Sequence, residues 1–313
     1  VTSRETAPRR LIYVHGIKAK PEPAVHAAVL RECLLTGVGR AAPDVAAGMA
    51  ADAGWLDLVA WSHEFYPRYR DLGPDLQGLA RLRADARPAR RSIAPVFGPR
   101  HRLATLAHHV GDRYPALIRW LASPATRESL AEALRYFADR DGESQRIRDR
   151  LQQSLAAAFA AGARVLLMAH SLGSVIAFDT LWQMSRRAGG AGGRIERFVT
   201  LGSPLGARYI RTRLQGAAET GVARYPDCIS AWWNLAAIGD LASLGRRFAR
   251  HYGEMRELGL TSAIVDRTDL VNPFYGAEGL NVHRCYGYHV NQATGAVIAG
   301  WWRGEPPADP TGA

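Results

Sequence analysis

Lysine is almost missing from this sequence: of 40 basic residues only Lys18 and Lys20 are lysines, and the rest are arginines. Cysteine is scarce as well. Cys33, Cys228 and Cys285 are far apart and odd in number, which excludes a disulfide framework and a CxxC metal knuckle. No apolar run approaches the roughly 18 residues of a membrane-spanning helix. The first ten residues, VTSRETAPRR, hold no apolar core of a secretory leader, so a cytoplasmic location is expected. HExxH, GxGxxG, a Walker-type loop and a tight carboxylate cluster are all missing, so no metal and no cofactor is expected.

What is present is an ordinary globular composition. The chain has 313 residues, 47% hydrophobic and 22% charged, enough to bury a core without covalent staples. The net charge of +11 is carried by arginines spread through Ala- and Gly-rich sequence. They are not interleaved with aromatics on one face, so a nucleic-acid partner is not expected. The excess is uneven: residues 68–150 hold 17 Arg against 10 acidic residues, and 81–102 hold seven Arg against Asp85 alone. A peripheral contact with an anionic membrane through this stretch is the open functional reading of the charge.

Short apolar runs at 11–14, 57–61, 165–169, 198–201, 228–233 and 263–265 alternate with helical patterns. That order predicts a mostly parallel sheet with helices on both faces. Near-continuous apolarity suits strands covered on both sides. Before the third run, Ile147, Leu151, Leu155 and Phe159 recur on one helical face, and Gly162 sits where a C-cap belongs. Residues 68–145 carry no strand signal and six prolines, so a helical insertion is expected there. Residues 304–313 read as a flexible tail, and the whole as a single α/β domain.

Residues 164–181, RVLLMAHSLGSVIAFDTL, carry the strongest chemical signal. A strand runs into Ala169-His170-Ser171-Leu172-Gly173 and then a helix. This is the pattern of a nucleophile elbow, with Ala in place of the first Gly. Small residues two before and two after Ser171 are expected because they face each other across the strained turn that lifts the Ser171 hydroxyl above the sheet. The bare pattern arises by chance about 0.3 times in a chain this long at ordinary residue frequencies. Its setting between an apolar strand and an amphipathic helix makes it informative.

An early strand ends in His15-Gly16-Ile17, and a later one in Thr200-Leu201-Gly202-Ser203-Pro204-Leu205-Gly206. With the elbow, these make the chain resemble the α/β-hydrolase superfamily, in particular its serine esterases and lipases. The resemblance covers residues 10–62 and about 145–302. It implies an oxyanion hole from the backbone N–H groups of Ile17 and Leu172, and a Ser–Asp–His order along the chain. W-x-N followed six residues after Asn by Asp fits Trp232, Asn234 and Asp240, with Leu241 where Pro is common. The rival acids are Asp227, Asp266 and Asp269. H-x-x-x-G-Y fits His283, Gly287 and Tyr288, with His289 as the rival base. His15 reads as a turn residue, His170 as packing, and the 200–206 segment as scaffold.

The implied activity is hydrolysis of a carboxylic ester, of a small molecule or a lipid, through an acyl-enzyme on Ser171. Asp240 and His283 would complete the triad, and the insertion would act as a cap or lid. Trp61, Phe65, Tyr66, Tyr69 and Trp120 are candidate walls of the pocket, with a place in the core the equal alternative for each. A serine peptidase or acyltransferase on the same triad, and a non-catalytic binding or scaffold protein of the same fold, are the alternatives.

Overall fold

The structure, a computed structural model, describes residues 7–114, 124–243 and 245–307. Six parallel strands form one sheet: β1 (Arg9–Val14), β2 (Leu56–Val59), β3 (Arg164–His170), β4 (Ile195–Leu201), β5 (Ala231–Ala237) and β6 (Ala263–Leu270). Their spatial order is β2-β1-β3-β4-β5-β6. A two-stranded hairpin, β7 (Tyr275–Gly276) and β8 (Gly279–Leu280), stands apart from the sheet. The helices are α1 (Pro23–Ala41), α2 (Pro43–Ala51), α3 (Gly73–Ala84), α4 (Pro99–Arg113), α5 (Pro124–Ala138), α6 (Glu143–Ala160) and α7 (Leu172–Ser185). After them come α8 (Arg208–Arg211), α9 (Phe248–His251), α10 (Glu254–Glu257), α11 (Cys285–His289) and α12 (Gln292–Trp302).

Both faces of the sheet are covered, which is why its strands read as apolar runs rather than alternating ones. In β3, Val165, Leu167 and Ala169 pack with Leu151 of α6 and Val175 of α7. The intervening Leu166 and Met168 pack with Leu34 of α1 and Ile298 of α12 on the other face. The period-2 geometry of a strand sends neighbours to opposite faces, and each face has its own helices to receive them. Ile147, Leu151 and Leu155 of α6 are fully buried, and Gly162 ends the segment at φ +64°.

Three strand boundaries differ from the apolar runs. Residues 228–230 make only an isolated bridge, between Ile195 and Ile229, and Arg194 is bonded to the carbonyls of Asp227 and Ile229. The strand therefore starts at Ala231 and runs on to Ala237, so Asn234 lies within it. β6 continues to Leu270 beyond its apolar start, because an edge strand can turn Arg267 and Asp269 toward solvent, while Asp266 is taken up as a helix cap. β2 ends at Val59, and Trp61 leaves the sheet for the core.

Among the described residues, 68–145 contain helices and no strand. Several ties hold this stretch to the rest of the fold, two of them to helices beside the sheet. Tyr136 of α5 is buried and donates to Asp179 of α7 at 2.9 Å. Asp112 of α4 accepts from the N–H groups of Arg208 and Tyr209 at 3.0 and 2.9 Å, capping α8.

Candidate functional site

The strand order reverses direction around β1: β2 lies on one side of it and β3 on the other. At such a switch point the loops leaving the two adjacent strands diverge and open a crevice at their carboxyl ends. The loop after β1 supplies His15, Gly16 and Ile17, and the turn after β3 supplies Ser171.

Ser171 has φ +53° and ψ −129°, a backbone conformation that a non-glycine residue holds only under constraint. The constraint is visible. The Ser171 N–H donates to the Leu201 carbonyl at 3.0 Å, and its own carbonyl accepts from Ser174 Oγ at 2.6 Å. The need for a small residue at 173 has a cause that the local pattern did not reveal. A Cβ there would lie 2.5 Å from the carbonyl oxygens of Val14 and His15, so it is the end of β1, not Ala169, that crowds the position. A Cβ on Gly16 would lie 2.8 Å from the Ser171 Cβ, so the two turns are packed backbone to backbone.

Ser171, His283 and Asp240 come together from three separate loops. The Ser171 Oγ lies 2.9 Å from His283 Nε2, and His283 Nδ1 lies 2.9 Å from Asp240 Oδ2. Asp240 is fully buried in a turn just after β5. Burial by itself would raise its pKa, but the charge and hydrogen bond of His283, with donation from the Tyr288 hydroxyl and the Ala242 N–H, bring it down to about 2. The Tyr288 hydroxyl lies 2.5 Å from Asp240 Oδ2 and accepts from the Ala237 N–H at 2.9 Å. With that side of the oxygen filled by a donor, its one proton points at the carboxylate. Burial and the Asp240 charge both raise the Tyr288 pKa, so the phenol stays protonated.

The rival acids are engaged elsewhere. Asp266 accepts from Asn234 Nδ2 and from the N–H groups of Phe248 and Ala249, all at 2.9 Å, and so caps α9. Asp269 is exposed beside Arg267, and Asp227 lies before β5 at the opposite edge of the sheet. His289, the rival base, is fully buried with neither ring nitrogen hydrogen-bonded, and its ring meets Tyr13 edge-on at 4.8 Å. Burial lowers its pKa to about 3, so it is a neutral core residue.

Ile17 and Leu172, the residues expected to supply the oxyanion-hole amides, line the same crevice as Ser171. Neither donates a hydrogen bond to another described residue. His15 holds the first of these loops. Its ring stacks on Trp61 at 4.8 Å, accepts the Trp61 N–H on Nε2 at 3.2 Å and meets the Gly16 carbonyl through Nδ1 at 2.8 Å. That pattern requires the neutral ring with its proton on Nδ1, in agreement with a pKa lowered by burial and by the Lys20 charge.

Three supporting residues were not assigned roles from the sequence. His170 Nε2 donates to the His283 carbonyl at 2.9 Å, so the residue before Ser171 fixes the loop that carries the imidazole. Tyr288 lay in plain view in H-x-x-x-G-Y without a function attached. Gly202, in the segment read as scaffold, sits at φ +53° against the Asp240–His283–Tyr288 cluster. Ser203 is buried and bonded to Ser174 Oγ at 2.6 Å, which keeps it out of the crevice.

The crevice is a cavity of about 520 Å³, within the range of small-molecule sites. Its walls are mostly apolar and include Val96, Leu130, Ile210, Leu280 and Val282, with His101 and His108 of α4 overhead. The aromatic residues expected as walls are elsewhere. Trp61 and Phe65 are core, Tyr69 is exposed, and Tyr66 accepts the Lys18 N–H at 3.0 Å. Trp120 lies outside the described residues. No cluster of three or more metal-ligating side chains occurs among the described residues. Comparison with protein-family models, curated proteins and solved structures returned no match for the chain.

Proposed function

We propose that this protein is a serine hydrolase of α/β-hydrolase type that cleaves carboxylic esters through an acyl-enzyme on Ser171. The observation that carries the reading is the unbroken row from Ser171 Oγ through His283 to Asp240, each step 2.9 Å, below an apolar cavity. In this reading the Ser171 oxygen attacks the ester carbonyl carbon and His283 Nε2 takes its proton. Asp240 holds the ring with Nδ1–H toward itself and stabilises the imidazolium without being protonated. The Ile17 and Leu172 amides receive the negative oxygen of the tetrahedral intermediate. The intermediate collapses with loss of the alcohol, which leaves with the proton from His283. Water then attacks the acyl-serine by the same path in reverse.

The apolar walls favour an ester with a hydrocarbon acyl group over a peptide, whose backbone would need polar partners along the cavity. The strained Ser171 backbone also weighs against a non-catalytic scaffold, for which that conformation has no use. The helices of 68–145 serve as the cap, with α4 forming the cavity roof. A fluorophosphonate probe tests the reading: it labels the folded wild-type protein and not Ser171→Ala. Absence of labelling in wild-type protein of normal melting temperature rejects it. A series of p-nitrophenyl esters then measures acyl preference, with longer chains favoured over acetate.

One observation favours a version in which the ester lies in an anionic lipid surface. No helix is long and apolar enough to cross a membrane among the described residues. The outer face of α4, however, exposes Leu103 at 68% and Leu106 at 59%, beside the exposed Arg102 and Arg113. An apolar stripe flanked by cations suits shallow burial among acidic headgroups. Flotation with phosphatidylglycerol vesicles that fails with phosphatidylcholine, and fails again in Leu103→Ser/Leu106→Ser, is the expected result. Equal binding to both vesicles removes this version.

A further inference from the structure

A second cavity, of about 660 Å³, is larger than the crevice at Ser171 and shares no lining residue with it. It lies between the edge of the sheet and α12. Val265, Arg267 and Asp269 alternate along β6 and so face it from one side of the strand. Arg197 of β4, Arg40 of α1 and Arg87 after α3 line it as well. Four arginines therefore meet here, against the carboxylates of Asp269 and Glu305.

Among the described residues, two of these guanidinium groups are bonded to carbonyl oxygens and to no carboxylate. Arg197 is buried. It donates to the Val297 and Glu305 carbonyls at 2.7 and 2.6 Å and lies over the Trp233 ring at 4.8 Å. A Cβ on Gly300 would lie 3.0 Å from Arg197 Nη1, so the bare Cα of that residue makes room for the guanidinium. Arg40 donates to the Val290 and Leu82 carbonyls, both at 2.6 Å. Burial lowers the pKa of both arginines, Arg197's to about 10, and the carboxylates near them, Asp85 for Arg40 and Glu305 and Glu196 for Arg197, compensate only in part. Glu196 is paired with Arg164 at 3.0 Å. Arg87 is exposed, and Arg267 has Asp269 at 3.6 Å.

Carbonyl bonds hold a guanidinium in place and leave its charge in force. Four arginines against two carboxylates leave two positive charges in excess at the cavity. The start of α12 adds to them, since Gln292 and Ala293 line the cavity and the N-terminal end of a helix carries partial positive charge. The Asn291 side chain donates to the Val271 carbonyl at 3.2 Å and so fixes that helix end to the cavity wall. Guanidinium forks match the paired oxygens of a phosphate, and a phosphate dianion balances an excess of two. The rest of the wall is apolar, with Pro88, Leu270 and Val297, and the volume is that of a small-molecule site rather than a bare ion. No exposed large apolar residue of the described chain lines this cavity, which weighs against a ligand held in a membrane. We propose that the cavity binds a soluble phosphomonoester, with its phosphate among Arg40, Arg87, Arg197 and Arg267 at the start of α12 and its organic part against the apolar wall. The inference does not depend on the hydrolase reading.

Isothermal titration of the full chain with phenyl phosphate at low salt tests the proposal. Binding is expected, and raised salt should weaken it. Inorganic phosphate lacks the organic part and benzoate lacks the second charge, so each should bind at least about threefold more weakly. Ala296 is an exposed residue of the cavity wall, and substitutions there leave the core untouched. Ala296→Glu should weaken phenyl phosphate about tenfold or more, whereas Ala296→Lys, of similar bulk, should hold it at least as tightly as wild type. Arg87→Gln, also at an exposed position, should weaken it about threefold to tenfold. Ser171→Ala should keep the wild-type affinity. No binding by wild-type protein, or wild-type affinity in Ala296→Glu and Arg87→Gln of normal melting temperature, overturns the proposal. So does equal weakening by Ala296→Glu and Ala296→Lys, or a loss in Ser171→Ala, which would put the ligand in the crevice. Benzoate bound as tightly as phenyl phosphate overturns the phosphate assignment. Displacement of phenyl phosphate by phosphatidic acid vesicles overturns the soluble source.

Discussion

Replacing Gly202 by alanine adds one methyl group at the point where the proposed acid and base meet. The backbone there has φ +53°, so alanine is strained whatever the space around it, at a cost of about 1–2 kcal/mol. The methyl carbon would also lie 2.8 Å from Asp240 Oδ2, 3.1 Å from His283 Nδ1 and 3.1 Å from the Tyr288 hydroxyl. Comfortable contact for such atoms is about 3.5–4.0 Å. Each of the three must therefore give by several tenths of an ångström, and they are bonded to one another at 2.9 and 2.5 Å. A displacement of about 1 Å in a reacting group can cost about 10²-fold in rate. Gly202→Ala is thus expected to lower kcat/KM for a p-nitrophenyl ester by about 10²–10³, equivalent to about 3–4 kcal/mol of transition-state stabilisation. Fluorophosphonate labelling of Ser171 should slow in parallel. Gly162→Ala is the control. Its φ of +64° is similar, but nothing lies within 4 Å of the added carbon. It should lose about 1 kcal/mol of stability, read by denaturant midpoint, and keep the wild-type rate. A folded Gly202→Ala protein with kcat/KM within about threefold of wild-type would refute the reasoning, because the acid–base pair would then tolerate a methyl group in contact with both partners.

The two histidines near the end of the chain should separate cleanly: His283→Ala abolishes ester turnover, by about 10³-fold or more, at near-normal melting temperature. His289→Ala leaves a hole in the core and lowers the melting temperature, with kcat per folded molecule retained, both measured on the same preparations. The pH dependence of stability follows from the buried neutral histidines. His26 and His289 are each lowered to about 3 when folded, so their contribution is full above the ordinary value near 6.5 and is lost as pH falls from there toward 3. Urea midpoints at pH 7 and pH 4.5 should show a loss of about 2 kcal/mol per group, and the slope should be shallower in His289→Gln. Tyr288→Phe removes one donor from Asp240 and the acceptor of the Ala237 N–H. It should lower kcat about tenfold with KM unchanged and destabilise the fold by about 1–3 kcal/mol, by steady-state kinetics and thermal melts.

Local sequence already determined a good deal of this protein. The six strands and α6 were legible because each is an apolar pattern matched to its own period and buried against its neighbours. Ser171 was legible because a strand, a small-residue turn and a helix are contiguous in the chain. The grouping of Ser171, Asp240 and His283 was expected only through the resemblance to the hydrolases, since nothing local to residue 240 distinguishes it from Asp266, one strand later in the same sheet. The tertiary structure separates them: Asp266 is consumed as a helix cap, while Asp240 is buried against His283 and Tyr288.

What lines the cavity was beyond the sequence. Aromatic residues suit a pocket wall and a core alike; Trp61 and Phe65 went to the core, where large rings bury most area, and residues of α4, α5, α8 and distant loops took the walls. The same holds for Gly202 and His170, whose contacts are with residues far along the chain. Residue type and local period fix which segments fold and which face is buried. Which loop ends meet, and so which side chain touches which, depends on strand order and on close backbone packing such as that between Gly173 and the end of β1, and those are properties of the assembled sheet.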